Sequence, residues 1–281
     1  MDYFNFTAII HLRNTMARKF LIRILLVITL YFPVQLSAQQ QKQEHTIVRV
    51  LTFNILHGAT TKGDFDLDVI AEIINRTDPD LVALQEVDFK TKRAKDLDLT
   101  TELALRTGMT SYYAMAMEYD GGGYGEGVLS KFPILEARNI ALPHQSRSEP
   151  RAAAEITMVS SPGDTIRFIG THLDHLKENR DRIMQVNKIN TILGDSHHPT
   201  ILAGDLNDIP DSEPISILES KWGAAYHTKL ENTFPSDSPR VKIDYVMYAP
   251  KRKWKVLESK TICDKIASDH CAYLVVLELL K

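Results

Sequence analysis

Short apolar segments alternate with amphipathic segments along most of the chain, a pattern that predicts strands and helices following one another. The apolar segments are rich in β-branched residues and are bounded by turn residues, so we interpret them as strands. The segment 152–159 alternates apolar and polar positions, whereas 81–84 is apolar throughout, so both half-covered and fully covered strands are expected. The predicted strands are 47–53, 81–84, 127–130, 152–159, 166–170, 200–203, 243–248 and 272–279.

Three amphipathic segments predict helices, and polar or small residues mark their ends. Asp66 is expected to cap the first helix, Gly108 to end the second in a left-handed conformation, and Gly194 to close the third. The run Gly121–Gly123 predicts a flexible loop between a helix and a strand; it lacks the lysine and following helix of a phosphate-binding loop. The elements alternate without an internal linker, which favours an α/β domain made of two stacked sheets with outer helices.

The N-terminus has the pattern of a secretory signal peptide. Arg18, Lys19 and Arg23 precede the apolar run 24–32, and small residues follow it up to Ala38. The apolar run is about half the roughly 20 residues that span a bilayer, so no stable transmembrane anchor is expected. We predict a signal peptide over 1–38, with Met16 as an alternative start, a polar leader over 39–46 and one folded domain over 47–281. An exported protein, periplasmic or extracellular, is expected.

The charge of the chain limits its partners. The formal net charge is −3, and removal of residues 1–38 takes away four basic residues and one acidic residue, which moves it to −6. Such a balance lacks the basic footprint of avid nucleic-acid binders. It therefore disfavours an enzyme that degrades bulk DNA.

The chain contains two cysteines, Cys263 and Cys271. Export would allow them to form a disulfide. Their positions, one before and one just inside the last predicted strand, instead favour two small buried apolar residues.

Acidic and amide side chains stand at the ends of the predicted strands. Asn54 and Glu86 follow two apolar strands, although each alone could merely cap a turn. Asp205 and Asn207 are two residues apart in an extended segment and so point to the same side. Mg²⁺ takes oxygen ligands from carboxylates, amides and water, so these residues predict a crevice that holds a metal ion, a phosphoryl group or an attacking water. Asp208 should point away and serve a turn.

Histidine chemistry is indicated near the C-terminus. Asp269 and His270 precede the last strand, and Asp244 begins another. An imidazole that Asp244 orients can act as a general base toward water near neutral pH. His172 could donate a hydrogen bond to a phosphate oxygen or to the leaving group.

The string that contains His172 continues with Asp174 and His175, which could contact substrate or simply hold the loop. His172, His175, His197 and His198 could suggest zinc, but no helical HExxH arrangement is present. The oxygen-rich set of Asn, Glu and Asp side chains favours Mg²⁺, with Mn²⁺ as an alternative ion.

In combination these motifs resemble the endonuclease/exonuclease/phosphatase superfamily, in order, from about Ile47 to the C-terminus. The resemblance implies a four-layered α/β sandwich, in which two central mixed β-sheets pack face to face between outer helices and the site lies at one edge of the sheets. It implies that Asn54, Glu86 and Asp269 bind the metal ion.

The resemblance also assigns the catalytic set. His172 stands where apurinic endonucleases carry tyrosine, so the chain looks closer to the DNase, sphingomyelinase and phosphatase branches. The catalytic residues that the resemblance implies are His270 with its partner Asp244, Asp205, Asn207 and His172.

Basic residues near these motifs could contact an anionic substrate. Arg151 stands where family members place a basic residue on the phosphate side, and a surface salt bridge is the alternative. A basic cluster, Lys90, Lys92, Arg93 and Lys95, could clamp substrate or be a solvated loop. The substrate-binding candidates are Asn207, Arg151, Asp174 and His175.

These features together predict an exported Mg²⁺-dependent phosphoester hydrolase in which water attacks phosphorus in line. Export, acidity and the absence of a basic tail favour a small or lipid-linked phosphoester over duplex DNA. A secreted nuclease and a non-catalytic binding module of the same fold are the alternatives. A monomer is expected.

Overall fold

The computed structural model describes residues 45–194, 197–226 and 229–281. The predicted signal peptide, the alternative start Met16 and most of the polar leader lie outside the described residues. Within the described ranges no helix is both long and apolar enough to cross a membrane.

Twelve strands in this part of the chain form two six-stranded sheets, with the orders β11-β12-β1-β2-β4-β3 and β5-β6-β7-β8-β10-β9. Both sheets are mixed, since β1 runs parallel to β2 and β7 parallel to β8 while the other neighbours are antiparallel. The strands are β1 (Thr46–Asn54), β2 (Leu81–Phe89), β3 (Thr110–Tyr119), β4 (Gly122–Ser130), β5 (Ile134–Leu142), β6 (Arg151–Val159), β7 (Thr165–His172), β8 (Thr200–Asp205), β9 (Gly223–Ala224), β10 (Asp244–Ala249), β11 (Trp254–Ile262) and β12 (Ala272–Leu279).

Four α-helices are described; the first three were predicted and the fourth was not. They are α1 (Leu67–Thr77), α2 (Leu99–Thr107), α3 (Arg180–Gly194) and α4 (Glu213–Glu219). The Asp66 side chain caps α1 by accepting a hydrogen bond from Asp68 N at 2.9 Å. Gly108 ends α2 with φ +68°, a left-handed conformation that glycine adopts without steric cost.

The apolar residues form three buried layers. One lies between the two sheets and contains residues such as Val50, Phe168 and Val275. A second packs α1 and α2 against the first sheet, and a third packs α3 and α4 against the second sheet. This helix–sheet–sheet–helix order confirms the predicted four-layered α/β sandwich.

The parallel pairs decide where the site lies. Helix α1 connects β1 to β2 and α3 connects β7 to β8, so the carboxyl ends of each pair reach the same edge of their sheet. Strands β12 and β10 run antiparallel to β1 and β8, so their first residues lie at that same edge. This is where ligands bind in many α/β proteins.

Several strands were not predicted, and all of them lie at sheet edges. Strands β3 and β11 flank the first sheet and β5 and β9 the second. Edge strands are solvated on more sides, so their residues are mixed in polarity; β5, for example, is mostly exposed.

The prediction that Gly121–Gly123 is a loop between a helix and a strand was wrong. The preceding element is β3, and β4 already begins at Gly122, where a Cβ atom would lie 2.2 Å from Phe89 O.

The two ends of the domain also differ from expectation. Thr46, assigned to the polar leader, is buried in β1 and pairs with Leu279, so the folded domain includes it. Cys263 and Cys271 form a disulfide, and the preference for two buried thiols was wrong. The β11–β12 ladder pairs Ile262 with Ala272, which places the two cysteines directly opposite each other with a Cα–Cα distance of 4.2 Å.

Candidate active site

Strand pairing brings the predicted site residues together at one edge of the two sheets. Asp205, the last residue of β8, pairs in register with His172 on β7 and with Asp244 on β10. Asn54, the last residue of β1 in the other sheet, donates from Nδ2 to Asp205 Oδ2 at 3.3 Å. Both sheets therefore contribute to one site.

Glu86 reaches this site from a β-bulge in β2. The β2–β4 register shifts between Leu84 and Val87, and Glu86 has φ +58°. A non-glycine residue held in this left-handed region costs on the order of 1–3 kcal/mol, and such strain gathers at functional sites. Asn54 Nδ2 donates to Glu86 Oε1 at 3.0 Å, while Asn54 Oδ1 accepts from Leu56 N at 3.1 Å. Asn54 thus bridges two carboxylates with its amide nitrogen.

Glu86 is charged in this setting. Burial alone would raise its pKa, but the contact with His57, the hydrogen bond from Asn54 and the charge of His270 lower the pKa to about 2. About a quarter of the Glu86 side chain is exposed, so the carboxylate can be reached from solvent.

Asp269 lies beside the histidine loop. Its backbone carbonyl accepts from Ser236 N at 2.7 Å, and its carboxylate lies 3.5 Å from Ser268 Oγ. The side chain is half-buried. Its predicted metal role stays a prediction.

His270 lies between two carboxylates. Its Nδ1 is 3.2 Å from both oxygens of Asp244, and its Nε2 is 3.6 Å from Asp205 Oδ2. Burial opposes protonation, but the charges of Asp244 and Asp205 outweigh it and raise the pKa of His270 to about 10. The Phe234 ring packs against the imidazole with 4.8 Å between ring centroids. The predicted pairing of Asp244 with His270 is present in the structure.

Asp205 and Asn207 face the same side, as the spacing predicts. Asp205 Oδ1 accepts from Asn207 N at 2.9 Å, and Asn207 Nδ2 lies 2.9 Å from His172 Nε2. Burial, together with the charge of Asp244, raises the pKa of Asp205 to about 7, although His270 opposes the shift. Asn207 has φ +50°, the second strained residue of the site.

His172 and Arg151 form the opposite wall. Arg151 Nη1 lies 3.2 Å from His172 Nδ1 and 2.9 Å from Glu149 Oε1, and Nη2 lies 3.2 Å from His175 Nδ1. Burial and the Arg151 cation hold the pKa of His172 well below its usual range, so this imidazole is neutral. Arg151 is 2 % exposed, which rules out the surface salt bridge considered for it.

Asp174 does not offer its carboxylate to a substrate. It is fully buried, accepts from Leu176 N at 3.0 Å and lies 3.9 Å from Arg182 Nη1, so the prediction that it contacts substrate is corrected to a loop-holding role. Arg182 Nε also binds Asp208 Oδ2 at 2.9 Å, which ties this loop to the one after β8. His175 is exposed beside Arg151.

Two buried ionisable residues near the site were missed at the sequence level. Glu126 on β4 lies opposite the bulge, has no hydrogen-bond partner for either carboxylate oxygen among the described residues, and has a pKa raised well above its usual range by burial. Lys242 donates from Nζ to Asp244 O at 2.7 Å, its Nζ lies 3.4 Å from the Tyr273 ring centroid, and burial lowers its pKa to about 7. A charged residue inside or next to an apolar strand was the available signal for both.

The basic cluster after β2 is partly neutralised. Arg93 binds the fully buried Asp88 through two bonds, 2.6 Å from Nε and 2.8 Å from Nη2. Its guanidinium also lies 4.5 Å from the Tyr119 ring centroid. Lys90, Lys92 and Lys95 are exposed, as expected of a solvated loop.

The donor set fits a divalent cation. Glu86 offers a charged, partly exposed carboxylate, and Asp269 lies in the adjoining loop. Oxygen donors of this kind suit Mg²⁺ or Mn²⁺. Asp205, Asp244 and His270 also bring ligand atoms within 4.8 Å of one another. Because His270 Nδ1 is centred on both Asp244 oxygens, we interpret that trio as an Asp–His pair rather than a metal centre.

The architecture and the strand-end cluster define a two-sheet α/β sandwich with a carboxylate–imidazole site at one edge. The chain belongs to the Endonuclease/Exonuclease/phosphatase family, whose family model matches residues 51–270. The resemblance found in the sequence is thereby confirmed.

Solved structures share the fold at low sequence identity. A protein of this family from Bacteroides thetaiotaomicron is 17% identical and covers 84% of this chain and 99% of its own, with a TM-score of 0.70. A mannosyl-6-phosphatase from the same organism is 18% identical, covers 82% and 99%, and has a TM-score of 0.69. The catalytic domain of human nocturnin, solved with a sulfate anion, is 21% identical, covers 83% and 94%, and has a TM-score of 0.66.

Proposed function

We propose that this protein is an exported, Mg²⁺- or Mn²⁺-dependent phosphoester hydrolase that acts on a small or lipid-linked phosphoester. The observation that carries the proposal is the position of His270 between Asp244 and Asp205, opposite the neutral His172. His270 is protonated and His172 is neutral, and both lie beside Asp205, whose pKa is near 7. Neighbouring groups whose pKa values are pushed apart in this way are typical of acid–base sites.

Each side chain has a role in this proposal. Asp244 lies 3.2 Å from His270 Nδ1, and the nearby carboxylates raise the pKa of His270 to about 10, so we assign Asp205 rather than His270 as the group that takes the proton from the attacking water. The sequence had suggested His270 as the base. His270 keeps its proton and, with Asn207 and His172, donates to oxygens that gain charge.

Glu86, with Asp269, would hold the divalent cation, and Asn54, whose amide nitrogen donates to Glu86, would orient that carboxylate. Bound there, the ion would supply Lewis-acid stabilisation of a phosphoryl oxygen.

Charge at the site supports the substrate class. Arg151 pairs with Glu149 and Arg93 with Asp88, so two cations that a nucleic-acid groove would need are already neutralised. The related mannosyl-6-phosphatase acts on a phosphorylated sugar, which is consistent with a small phosphoester here. Export rests on the N-terminal pattern, and N-terminal sequencing of the mature protein should find cleavage after Ala38.

A hydrolysis panel tests the proposal. Purified protein would be assayed with Mg²⁺, Mn²⁺ or a chelator on bis(p-nitrophenyl) phosphate, p-nitrophenyl phosphate, hexose phosphates, sphingomyelin and duplex DNA. We expect metal-dependent cleavage of small or lipid substrates that Asp205→Asn abolishes and the exposed control Asp211→Asn retains. Preferred, salt-sensitive DNA cleavage would move the assignment to a nuclease. A folded protein without activity on any phosphoester would support a binding module.

A further inference from the structure

His57 is not among the residues that the sequence assigned to the site, yet it faces Glu86. Its Nδ1 lies 3.6 Å from Glu86 Oε2. The other Glu86 oxygen, Oε1, is already bonded to Asn54. His57 Nδ1 thus lies beside the carboxylate oxygen that Asn54 does not bind.

The distance between His57 and Glu86 does not make a good hydrogen bond. N–H···O bonds in proteins span about 2.7–3.2 Å, so a contact of 3.6 Å leaves both the nitrogen and the oxygen able to bind something else. About a quarter of each side chain is exposed, so a small ligand can reach both. A carboxylate oxygen and an imidazole nitrogen side by side are suited to a divalent metal ion.

The backbone at His57 has a strained conformation, which costs conformational free energy. Leu56 has φ +46° and His57 φ +48°, two consecutive non-glycine residues in the left-handed region. Such residues are uncommon and persist where the surroundings hold them. Here Asn54 Oδ1 accepts from Leu56 N at 3.1 Å, and Ala59 N donates to Leu56 O at 2.9 Å.

The next residue fixes the turn from the other side. Gly58 has φ +80°, and a Cβ atom there would lie 2.8 Å from the Phe65 ring. Asp66, the cap of α1, donates from N to Gly58 O at 3.1 Å. Contacts at the start of the connection between β1 and β2 therefore hold the turn that carries His57.

We propose that His57 is a further cation-binding residue, which shares the divalent ion with Glu86 through Nδ1. This inference rests on the proposed function. An imidazole ligand favours transition-metal ions over Mg²⁺, so the site should bind Mn²⁺ more tightly than Mg²⁺.

The test measures binding rather than turnover. Metal-free full-length protein would be titrated with Mn²⁺ and with Mg²⁺ by calorimetry, and the Mn²⁺ complex examined by pulsed electron paramagnetic resonance for nitrogen coupling. His57→Asn removes the imidazole but suits the left-handed backbone, and His57→Gly relaxes that backbone. His45→Asn is the matched control, because His45 lies at the opposite end of β1 and pairs with Glu278.

We expect His57→Asn and His57→Gly to weaken Mn²⁺ binding by about 10–100-fold, to change Mg²⁺ binding by less than about threefold, and to lose the nitrogen coupling. His45→Asn should behave as wild type. Nitrogen coupling that is absent from the wild type or retained in both His57 variants would overturn the proposal, as would unchanged Mn²⁺ affinity. A wild type that binds neither ion would overturn the proposed function as well, which separates the two failures.

Discussion

The carboxylate of Asp244 should govern the charge of His270. Asp244 is fully buried, and both of its oxygens lie 3.2 Å from His270 Nδ1. The informative change is Asp244→Asn, which keeps the size of the side chain and removes its charge.

The magnitude follows from Coulomb's law. At an effective dielectric constant of about 20, a unit charge 3.2 Å away is worth about 5 kcal/mol, or about four pKa units. Burial opposes part of this, and Asp205, 3.6 Å from Nε2, remains in the variant. We therefore expect the pKa of His270 to fall from about 10 by roughly two units or more in Asp244→Asn.

Histidine side-chain NMR on metal-free protein measures this pKa directly. Hydrolysis of bis(p-nitrophenyl) phosphate should fall about 10²–10⁴-fold in the same variant, because the imidazole loses the carboxylate that orients it. Asp237→Asn, an exposed change in the neighbouring loop, should alter neither quantity. An imidazole that titrates at the same pH in Asp244→Asn and wild type would refute the argument.

Three further predictions concern pH, the disulfide and strand packing. The pH profile of kcat/KM should rise through about 7 as Asp205 loses its proton and fall near 10 as His270 loses its own; a rising limb near pH 4 would contradict the raised pKa of Asp205. Replacing Cys263 and Cys271 by serine should destabilise the protein by roughly 2–3 kcal/mol, given the short loop that the bond closes, and lower the calorimetric Tm by about 5–10 °C. Gly204→Ala should abolish soluble expression, because its Cβ would lie 2.0 Å from Thr171 O in the paired strand; a folded variant of wild-type Tm would be incompatible with the β7–β8 pairing.

The interior strands and the helix ends could be predicted from sequence because their signals are local. An apolar run such as 201–203 is stable as a strand in a covered sheet. Asp66 caps a helix through its side chain, and Gly108 ends one through its left-handed conformation. The edge strands could not be predicted, since β5 and β11 are largely solvated and their residues are mixed in polarity, which leaves no apolar run. Because β11 was not predicted, nothing in the sequence indicated that Cys263 and Cys271 lie opposite each other at the ends of paired strands.

The amino-acid sequence by itself determined which residue types stand at the strand ends, and therefore the acidic, amide and imidazole groups available for chemistry. Tertiary structure decided which of them meet. It placed His270 between Asp244 and Asp205. It directed the Asp174 carboxylate toward Arg182. It also brought His57 beside Glu86, by way of two consecutive residues in the left-handed conformation. The physical reason is that charge and hydrogen bonding depend on distances of a few ångströms, which only the pairing of remote strands can set.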